Sequence, residues 1–261
     1  MNAYENIGLV LSGGGARGIA HAGTIKALEE HGIRPNYVSG SSVGAMVGAL
    51  YAAQFSPEEI ITFFKENTTI FKWRHFTFYK PGILDADTYG EIFEPWLEGH
   101  TFESLSKKLH ICVTDILKGE EHFFSSGELL RPILASAAVP GVFTPVEIKD
   151  SWYIDGGTMN NFPVEPLLTS CDFIIGSYVS LKKSFKKSEL TNTLRVINRA
   201  TDLNQVAPSK SKFPLCDMVF APPTLHRYGI FDTHKIEEMF EVGYQFTKEQ
   251  LREIELESIN N

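Results

Sequence analysis

The residues Gly40-Ser-Ser-Val-Gly44 place a serine between two glycines in the pattern G-x-S-x-G. This pattern is typical of a sharp strand-to-helix turn that exposes a serine hydroxyl at its apex. The flanking glycines give the backbone room for that turn, and the amino end of the following helix favours negative charge beside the serine. The spacing therefore predicts a nucleophile at Ser42, with Ser41 as a rival that is less well centred between the glycines.

The same five residues could form an ordinary glycine–serine turn, so the flanking segments decide between the two interpretations. Tyr37-Val38 before the pattern predicts a short strand, and the apolar run from Val43 to Leu50 predicts a buried helix. A strand before the serine and a helix after it are what a nucleophile turn requires.

A second glycine cluster, Gly13-Gly-Gly-Ala-Arg-Gly18, lies between the first predicted strand and the first predicted helix. It contains G-x-G-x-x-G, the fingerprint of dinucleotide binding, which makes an NAD(P)-binding protein the leading alternative. That function needs an acidic residue about 20 residues on, at the end of the second strand. The second strand instead ends at Gly40 without an acid, and no Lys-Ser/Thr follows the glycines as a P-loop would need.

In a hydrolase the glycine loop has a different use. Two neighbouring parallel strands end at the same edge of a sheet, so this loop would lie beside Ser42. The N–H groups of Gly13, Gly14 and Gly15 could then form an oxyanion hole. Arg17 could lend positive potential or brace the loop, and bracing is the interpretation we favour.

A third motif, Asp155-Gly156-Gly157, follows the predicted strand at residues 152–154. Taken alone it reads as a turn, because Asp-Gly is a common turn dipeptide. Taken together, the three motifs resemble those of the patatin-like phospholipase family, which carries a glycine-rich loop, G-x-S-x-G and a late Asp-Gly-Gly in this order. Residues 134–143 and 160–163 resemble two further hallmarks of that family.

The resemblance implies a catalytic Ser–Asp dyad. Ser42 would be the nucleophile, Asp155 the general base, and the backbone of residues 13–15 the oxyanion hole, with Gly18, Gly40, Gly44, Gly156 and Gly157 completing the motifs. The expected substrates are acyl esters of lipids, cleaved through an acyl-enzyme. The family requires neither a metal nor a cofactor. A catalytically silent lipid-binding or regulatory module of the same fold is the second hypothesis, and the intact motifs favour the enzyme.

The elements that must position these residues follow from apolar patterning. Runs that predict buried strands fall at residues 7–11, 37–38, 110–114, 146–148, 152–154 and 172–176. Their alternation with helices predicts an α/β fold with a mostly parallel sheet and helices on both faces. Near the end, apolar residues at helical spacing predict a helix packed against the sheet: Ile236, Met239, Phe240, Phe246, Leu251 and Ile254.

Length and composition set the remaining expectations. The 261 residues carry no linker-like segment, which predicts a single domain over residues 1–261. A net charge of −8 argues against a nucleic-acid partner. Three widely spaced cysteines, an N-terminus unlike a secretory signal, and no apolar run long enough to cross a bilayer predict a cytoplasmic protein. The eight histidines show no metal-ligand spacing.

The segment from Phe55 to Lys80 is unusually aromatic and basic. It could form a lid that touches lipid at a membrane surface, or a helical pair whose aromatic rings fill the core. The two interpretations remain open. A lipid or acyl-ester substrate and a transient contact with a membrane surface are the expected partners, and the sequence predicts no oligomeric state.

Overall fold

A computed structural model of the protein describes residues 4–67, 82, 84–86, 90–180, 187–191, 193–229 and 232–260. The first half of the chain forms β1 (Ile7–Leu11), α1 (Ala20–Glu30), β2 (Tyr37–Ser41), α2 (Val43–Ala52), α3 (Pro57–Glu66), α4 (Gly90–Leu97), β3 (Lys108–Asp115) and β4 (Glu120–Phe124). The second half forms α5 (Leu130–Ser136), β5 (Val146–Ile148), β6 (Ser151–Asp155), β7 (Phe173–Ser177), α6 (Thr193–Ser211), β8 (Met218–Phe220) and α7 (Ile236–Asn260).

In the part of the chain that the structure describes, all eight strands belong to one sheet in the order β5-β6-β3-β2-β1-β7-β8, with β4 paired to β3 beside this path. Five neighbouring strands, β3, β2, β1, β7 and β8, are parallel to one another. The strands β4, β5 and β6 add antiparallel pairs at one side of them. The mostly parallel sheet with flanking helices confirms the predicted α/β fold. β4 and β8 lie outside the predicted runs because β4 reads Glu-Glu-His-Phe-Phe with its first residues exposed and β8 has three residues.

Alternation along the buried strands divides the core into two layers. In β1, Leu9 and Leu11 belong to the larger cluster, with α1, α2 and α5, while Val10 belongs to a smaller cluster on the opposite face. The smaller cluster is covered by short 3-10 turns at Glu165–Leu167 and Phe213–Leu215. The helical cover is therefore much thicker on one face of the sheet than on the other.

The final helix forms as predicted but packs chiefly against α1, which corrects the expectation that it lies on the sheet. A Cβ added to Gly23 of α1 would lie 2.1 Å from the carbonyl oxygen of Phe240, and one added to Gly243 would lie 2.1 Å from that of Ala20. The two glycines let the helix backbones approach closely. Since α1 follows the glycine loop directly, the packing of α7 against α1 also stabilises the position of the loop.

The decisive feature of the topology is a junction on one edge of β3. β2 runs parallel to β3 and ends with Ser41 opposite Cys112, while β6 runs antiparallel and ends with Asp155 opposite Val113. β4 pairs with residues 111–115 on the other edge of β3, which overlaps the stretches paired with both β2 and β6. The carboxyl ends of β2 and β6 therefore meet head to head on the same edge.

Candidate active site

Ser42 occupies the turn between β2 and α2 in a strained conformation, with φ of 55° and ψ of −129°. A positive φ costs free energy for a residue with a side chain, and such strain is common where a group must be presented for chemistry. The turn is also tight, since a Cβ added to Gly44 would lie 2.2 Å from the carbonyl oxygen of Leu11 and one added to Gly40 would lie 2.5 Å from that of Gly44.

Ser41, the rival nucleophile, is the last residue of β2. Its hydroxyl is buried and finds no hydrogen-bond partner in the described part of the chain. Ser42, by contrast, lines a pocket together with Asp155. The accessible serine of the turn is therefore Ser42.

The head-to-head junction brings Ser42 and Asp155 into contact although 113 positions separate them in sequence. The Ser42 Oγ donates a hydrogen bond to Asp155 Oδ2 at 2.6 Å. The other carboxylate oxygen, Oδ1, accepts from the backbone N–H of Gly157 at 2.7 Å. An added Cβ at Gly156 would lie 2.2 Å from Cys112 O, so the glycines after the aspartate are required for this close turn.

Burial raises the pKa of Asp155 to about 6, against the opposing hydrogen bonds from Ser42 and the Gly157 N–H. Removing a carboxylate from water disfavours its charged form, and no cation among the described residues pairs with Asp155 to reverse the effect. The pKa of a general base is best placed near the working pH. At neutral pH the carboxylate is ionised, yet it is a stronger base than an aspartate in water.

The glycine loop lies directly over the nucleophile, as expected from the parallel pairing of β1 and β2. A Cβ added to Gly13 would lie 3.2 Å from the Ser42 Cβ. Gly15 has φ of 59°, a left-handed conformation that favours glycine. The loop then continues into a 3-10 turn, Gly15–Ile19, at the start of α1.

The hydrogen bonds of the loop narrow the expected set of oxyanion donors. The N–H of Gly13 donates to the carbonyl oxygen of Asn161 at 3.2 Å, so this group is already engaged. The N–H groups of Gly14 and Gly15 have no partner within the described residues. Gly14 and Gly15 are thus the donors available to a ligand, and Gly13 serves instead to anchor the loop.

Both available N–H groups belong to peptide groups whose carbonyl oxygens are held by hydrogen bonds from side chains. The Gly13 carbonyl accepts from Ser180 Oγ at 2.5 Å and from Ser12 Oγ at 3.0 Å, and the Gly14 carbonyl accepts from Arg17 Nε at 3.2 Å. In a trans peptide the C=O and the following N–H point in opposite directions. Holding these carbonyls therefore aims the N–H groups of Gly14 and Gly15 the other way.

Arg17 is buried, and its contact with Gly14 agrees with the bracing interpretation. Burial lowers the pKa of Arg17, while the negative charge of Asp202 acts in the opposite direction. Gly18 completes the motif because an added Cβ would lie 2.2 Å from the Val43 Cγ1 at the start of α2. The glycine loop and the nucleophile turn are therefore packed against each other.

The pocket that holds Ser42 and Asp155 is lined by both apolar and polar residues. The apolar residues include Met46, Phe64, Val139, Val142, Phe143 and Ile236. The polar residues include Thr158, Asn161, Ser180, Thr201, Asp202 and Gln205. The last three belong to α6, which no motif in the sequence indicates as part of a site.

The aromatic segment is only partly described, because residues 68–81 lie outside the described residues. Within the described part, Phe63 is fully buried and its ring packs 4.8 Å from that of Phe93 and 5.3 Å from that of Trp96. Phe64 lines the pocket. The core interpretation holds at Phe63, and the lid interpretation of the later aromatic residues stays a prediction.

No described histidine lines the pocket. His21 is buried beneath the glycine loop, where its Nε2 lies 2.8 Å from the Ser12 carbonyl oxygen and its Nδ1 lies 2.7 Å from Ser177 Oγ. Burial lowers the pKa of His21 to about 4, so it is neutral and structural. His226 and His234 are exposed on the chain before α7. The described residues also contain no cluster of three metal-ligating side chains.

Among the described helices, none is both long enough and apolar enough to cross a membrane. All three cysteines are free thiols.

An accessible serine bonded to a buried aspartate beneath a glycine loop, at the carboxyl edge of a mostly parallel α/β sheet, is the arrangement that the three sequence motifs predict. The family model of the patatin-like phospholipases matches residues 9–168 of the chain. The protein belongs to this family, and the matched region includes every motif residue from the glycine loop to Gly157.

Curated relatives support the same assignment over nearly the whole chain. The chain is 29% identical over 287 residues to lysophospholipase nte1 of Emericella nidulans and 28% identical over 279 residues to lysophospholipase NTE1 of Coccidioides immitis. Each match covers 95% of this chain but only 18% of the relative. The chain therefore spans about a fifth of the length of these relatives.

A solved structure with a similar fold is that of VipD from Legionella pneumophila. It matches 91% of this chain and 67% of the VipD chain, with a TM-score of 0.55 and 15% sequence identity. At that identity the likeness concerns the fold.

Sequence patterns locate the reacting groups but miss several residues that hold them. Ser136 accepts a hydrogen bond from the Ser42 N–H at 2.8 Å. It lies inside residues 134–143, where the family resemblance could have drawn attention to it. Ser180 and the polar residues of α6 stand in no motif, and only the folded chain brings them to the pocket.

Proposed function

We propose that this protein is a serine hydrolase of lipid acyl esters, with lysophospholipids as the first substrates to test. The observation that carries the proposal is the 2.6 Å hydrogen bond from Ser42 Oγ to Asp155 Oδ2 at the wall of a largely apolar pocket. The names of the relatives, which are lysophospholipases, support this choice of substrate.

Acylation begins with attack of Ser42 Oγ on the carbonyl carbon of the ester. The hydroxyl proton passes to Asp155 Oδ2 along the existing hydrogen bond. Negative charge that develops on the carbonyl oxygen is stabilised by the N–H groups of Gly14 and Gly15. Collapse of the tetrahedral intermediate breaks the ester C–O bond, and the departing alkoxide takes the proton from Asp155.

Deacylation repeats these steps with water as the nucleophile. Asp155 accepts a proton from the water that attacks the acyl-enzyme, and the same two N–H groups hold the oxyanion. Collapse releases the fatty acid and returns the proton to Ser42 Oγ. The cycle balances without a metal or a redox cofactor.

The apolar and polar residues of the pocket lining give the substrate an orientation. The acyl chain packs against the apolar residues Met46, Val142 and Phe143, because burying methylene groups there is favourable. The polar alcohol portion then points toward the α6 residues Thr201 and Gln205.

The outer face of α6 supports a transient contact with a membrane surface. Val196 and Leu203 are exposed, at 50% and 47%, and lie on the side of the helix opposite the pocket-lining Thr201 and Gln205. A helix that lines a lipid site and exposes apolar side chains on its outer face suits the boundary between headgroups and acyl chains.

The silent-module hypothesis requires no contact between Ser42 and Asp155, and the intact pair favours the enzyme. The single-domain organisation, the cytoplasmic location and the absence of a nucleic-acid partner stay predictions of the sequence.

The test is hydrolysis of a lysophospholipid by the purified protein and by Ser42→Ala. The wild-type protein should release fatty acid, and Ser42→Ala should lose at least ~10³-fold in kcat, since removal of a nucleophile removes the covalent route. Ser39→Ala is the matched control, because Ser39 carries a buried hydroxyl on β2 with no hydrogen-bond partner among the described residues. Release of fatty acid by Ser42→Ala at the rate of Ser39→Ala would overturn the proposal.

A further inference from the structure

The edge of β3 has a gap in its hydrogen-bonded ladder where the Ser–Asp pair forms. β2 leaves the edge after Ser41, opposite Cys112, and β6 ends with Asp155, opposite Val113. A break of this kind leaves backbone groups that no neighbouring strand can satisfy, and buried backbone groups need partners. The backbone N–H of Ser42 is one of these groups, because the strained turn carries it out of the ladder.

The hydroxyl of Ser136 fills this gap. Ser136 is fully buried at the end of α5. Its Oγ accepts a hydrogen bond from the Ser42 N–H at 2.8 Å and donates one to the Cys112 carbonyl oxygen at 2.7 Å. A single hydroxyl thus uses its acceptor and its donor to join the nucleophile turn to β3.

The same short segment also holds the general base. Two residues after Ser136, the carbonyl oxygen of Ala138 accepts from the Asp155 N–H at 3.0 Å. The Asp155 carbonyl in turn accepts from Thr114 Oγ1 at 3.1 Å. The backbones of both reacting residues are therefore attached to one rigid segment, residues 136–138, at the end of α5.

We infer that Ser136 is a positioning residue that sets the distance and orientation between Ser42 Oγ and the Asp155 carboxylate. Ser136 lies outside the pocket lining, so it acts through the Ser42 backbone rather than on the substrate. This role rests on the proposed hydrolase function. Losing the hydroxyl would remove the partner of the Ser42 N–H and a donor to the Cys112 carbonyl, and the φ of 55° at Ser42 would lose a restraint.

The inference predicts a loss in the chemical step rather than in substrate binding. With a soluble short-chain ester, Ser136→Ala should lower kcat at least ~10-fold while KM changes less than ~2-fold, since a misplaced nucleophile weakens only the transition state. The rate constant for labelling of Ser42 by a fluorophosphonate should fall in parallel. Rates are expressed per mole of protein that is labelled at completion, which removes any contribution from unfolded chains.

Ser39→Ala provides the matched control, since it also deletes a buried hydroxyl but one without a partner among the described residues. It should keep kcat and the labelling rate within ~2-fold of wild type. If Ser136→Ala yields no folded protein, Ser136→Cys carries the test. A thiol is a weak donor and acceptor, so kcat should fall several-fold with KM unchanged.

A kcat and labelling rate for the folded Ser136 variant equal to those of Ser39→Ala would overturn the positioning role. Such a result would leave the hydrolase proposal intact as long as Ser42→Ala is inactive. Full activity of Ser42→Ala would instead overturn the hydrolase proposal itself, so the two failures are distinguishable.

Discussion

The pocket lining contains two regions that are held in different ways, which we call the catalytic wall and the α6 wall. The catalytic wall, formed by the glycine loop, Ser42 and Asp155, holds its groups with hydrogen bonds to one another and to neighbouring backbone and side-chain groups. The wall formed by α6 presents Thr201, Asp202 and Gln205 on a helix whose opposite face is exposed. The hydroxyl of Thr201, for example, bonds back to its own helix at Ile197 O.

This difference separates two tasks within one site. Reacting atoms must be held to within a fraction of an ångström, because small displacements weaken the transition state. A surface that meets lipid has no such requirement and gains from apolar exposure. Substitutions in the first wall should therefore change kcat for every substrate. Substitutions on the outer face of α6 should change the preference between aggregated and soluble substrates.

The largest expected effect in the first wall, after loss of the nucleophile, is at the general base. Asp155→Asn should lower kcat for a soluble ester by ~10²–10⁴-fold, the usual contribution of a general base. His226→Gln and His234→Gln should stay within ~2-fold of wild type, because neither side chain lines the described pocket. A folded histidine variant as inactive as Asp155→Asn would show that the base is a histidine.

The next effect concerns the oxyanion donors. Gly14→Ala would place a Cβ 2.6 Å from the Cγ2 of the buried Val179, so the loop backbone or the Val179 side chain must shift. The loss in kcat should be ~10²–10³-fold, as for removal of one oxyanion donor. Gly90→Ala is the matched control, since its Cβ would meet no atom closer than 3.6 Å.

Equal kcat values for the Gly14 and Gly90 variants would contradict the role of the loop. Tight binding of NAD(P) in calorimetry would contradict it in another way, by restoring the dinucleotide alternative.

The pH dependence follows from the pKa of Asp155, which burial raises to about 6. The base must be ionised, so kcat/KM should be constant above that pKa and fall about tenfold per pH unit below it. An unperturbed histidine has a pKa of about 6.5, so the wild-type profile alone does not separate the two bases. The His226→Gln and His234→Gln variants should keep the same profile, and a displaced midpoint in either would implicate that histidine.

The smallest effect is expected at the α6 wall. Leu203→Asp should lower the rate on lysophospholipid in anionic vesicles a few-fold while leaving a soluble ester unchanged, because a charge on the outer face opposes contact with the lipid surface. Leu168→Asp is the control, since Leu168 is exposed to a similar degree, 44% against 47%, and does not lie on α6. Equal losses in both variants would remove α6 from the membrane-facing surface.

The contrast between the catalytic wall and the α6 wall also explains which residues of the site the sequence could predict. The catalytic wall depends on residues confined to tight turns, where few residue types fit, so Gly13–Gly15, Ser42 and Asp155 leave recognisable patterns. Its supports are harder to foresee, because the role of Ser136 depends on the junction of β2 with β6 along β3. The α6 wall has no fixed chemistry to impose a pattern. The apolar spacing predicts the final helix. Its packing partner, α1, cannot be predicted in that way, because the contact depends on a close approach of the two helices at Gly23 and Gly243.

The acyl-enzyme is the most direct test of the central claim. A reaction with a lysophospholipid is stopped with acid within one turnover, the protein is digested, and the peptide masses are measured by mass spectrometry. We expect one peptide heavier by the acyl group, with the modification on Ser42, and no such peptide from Ser42→Ala. An acyl group on Ser41 or on any other residue, or hydrolysis with a burst of product but no adduct on Ser42, would contradict the role of Ser42 as the nucleophile.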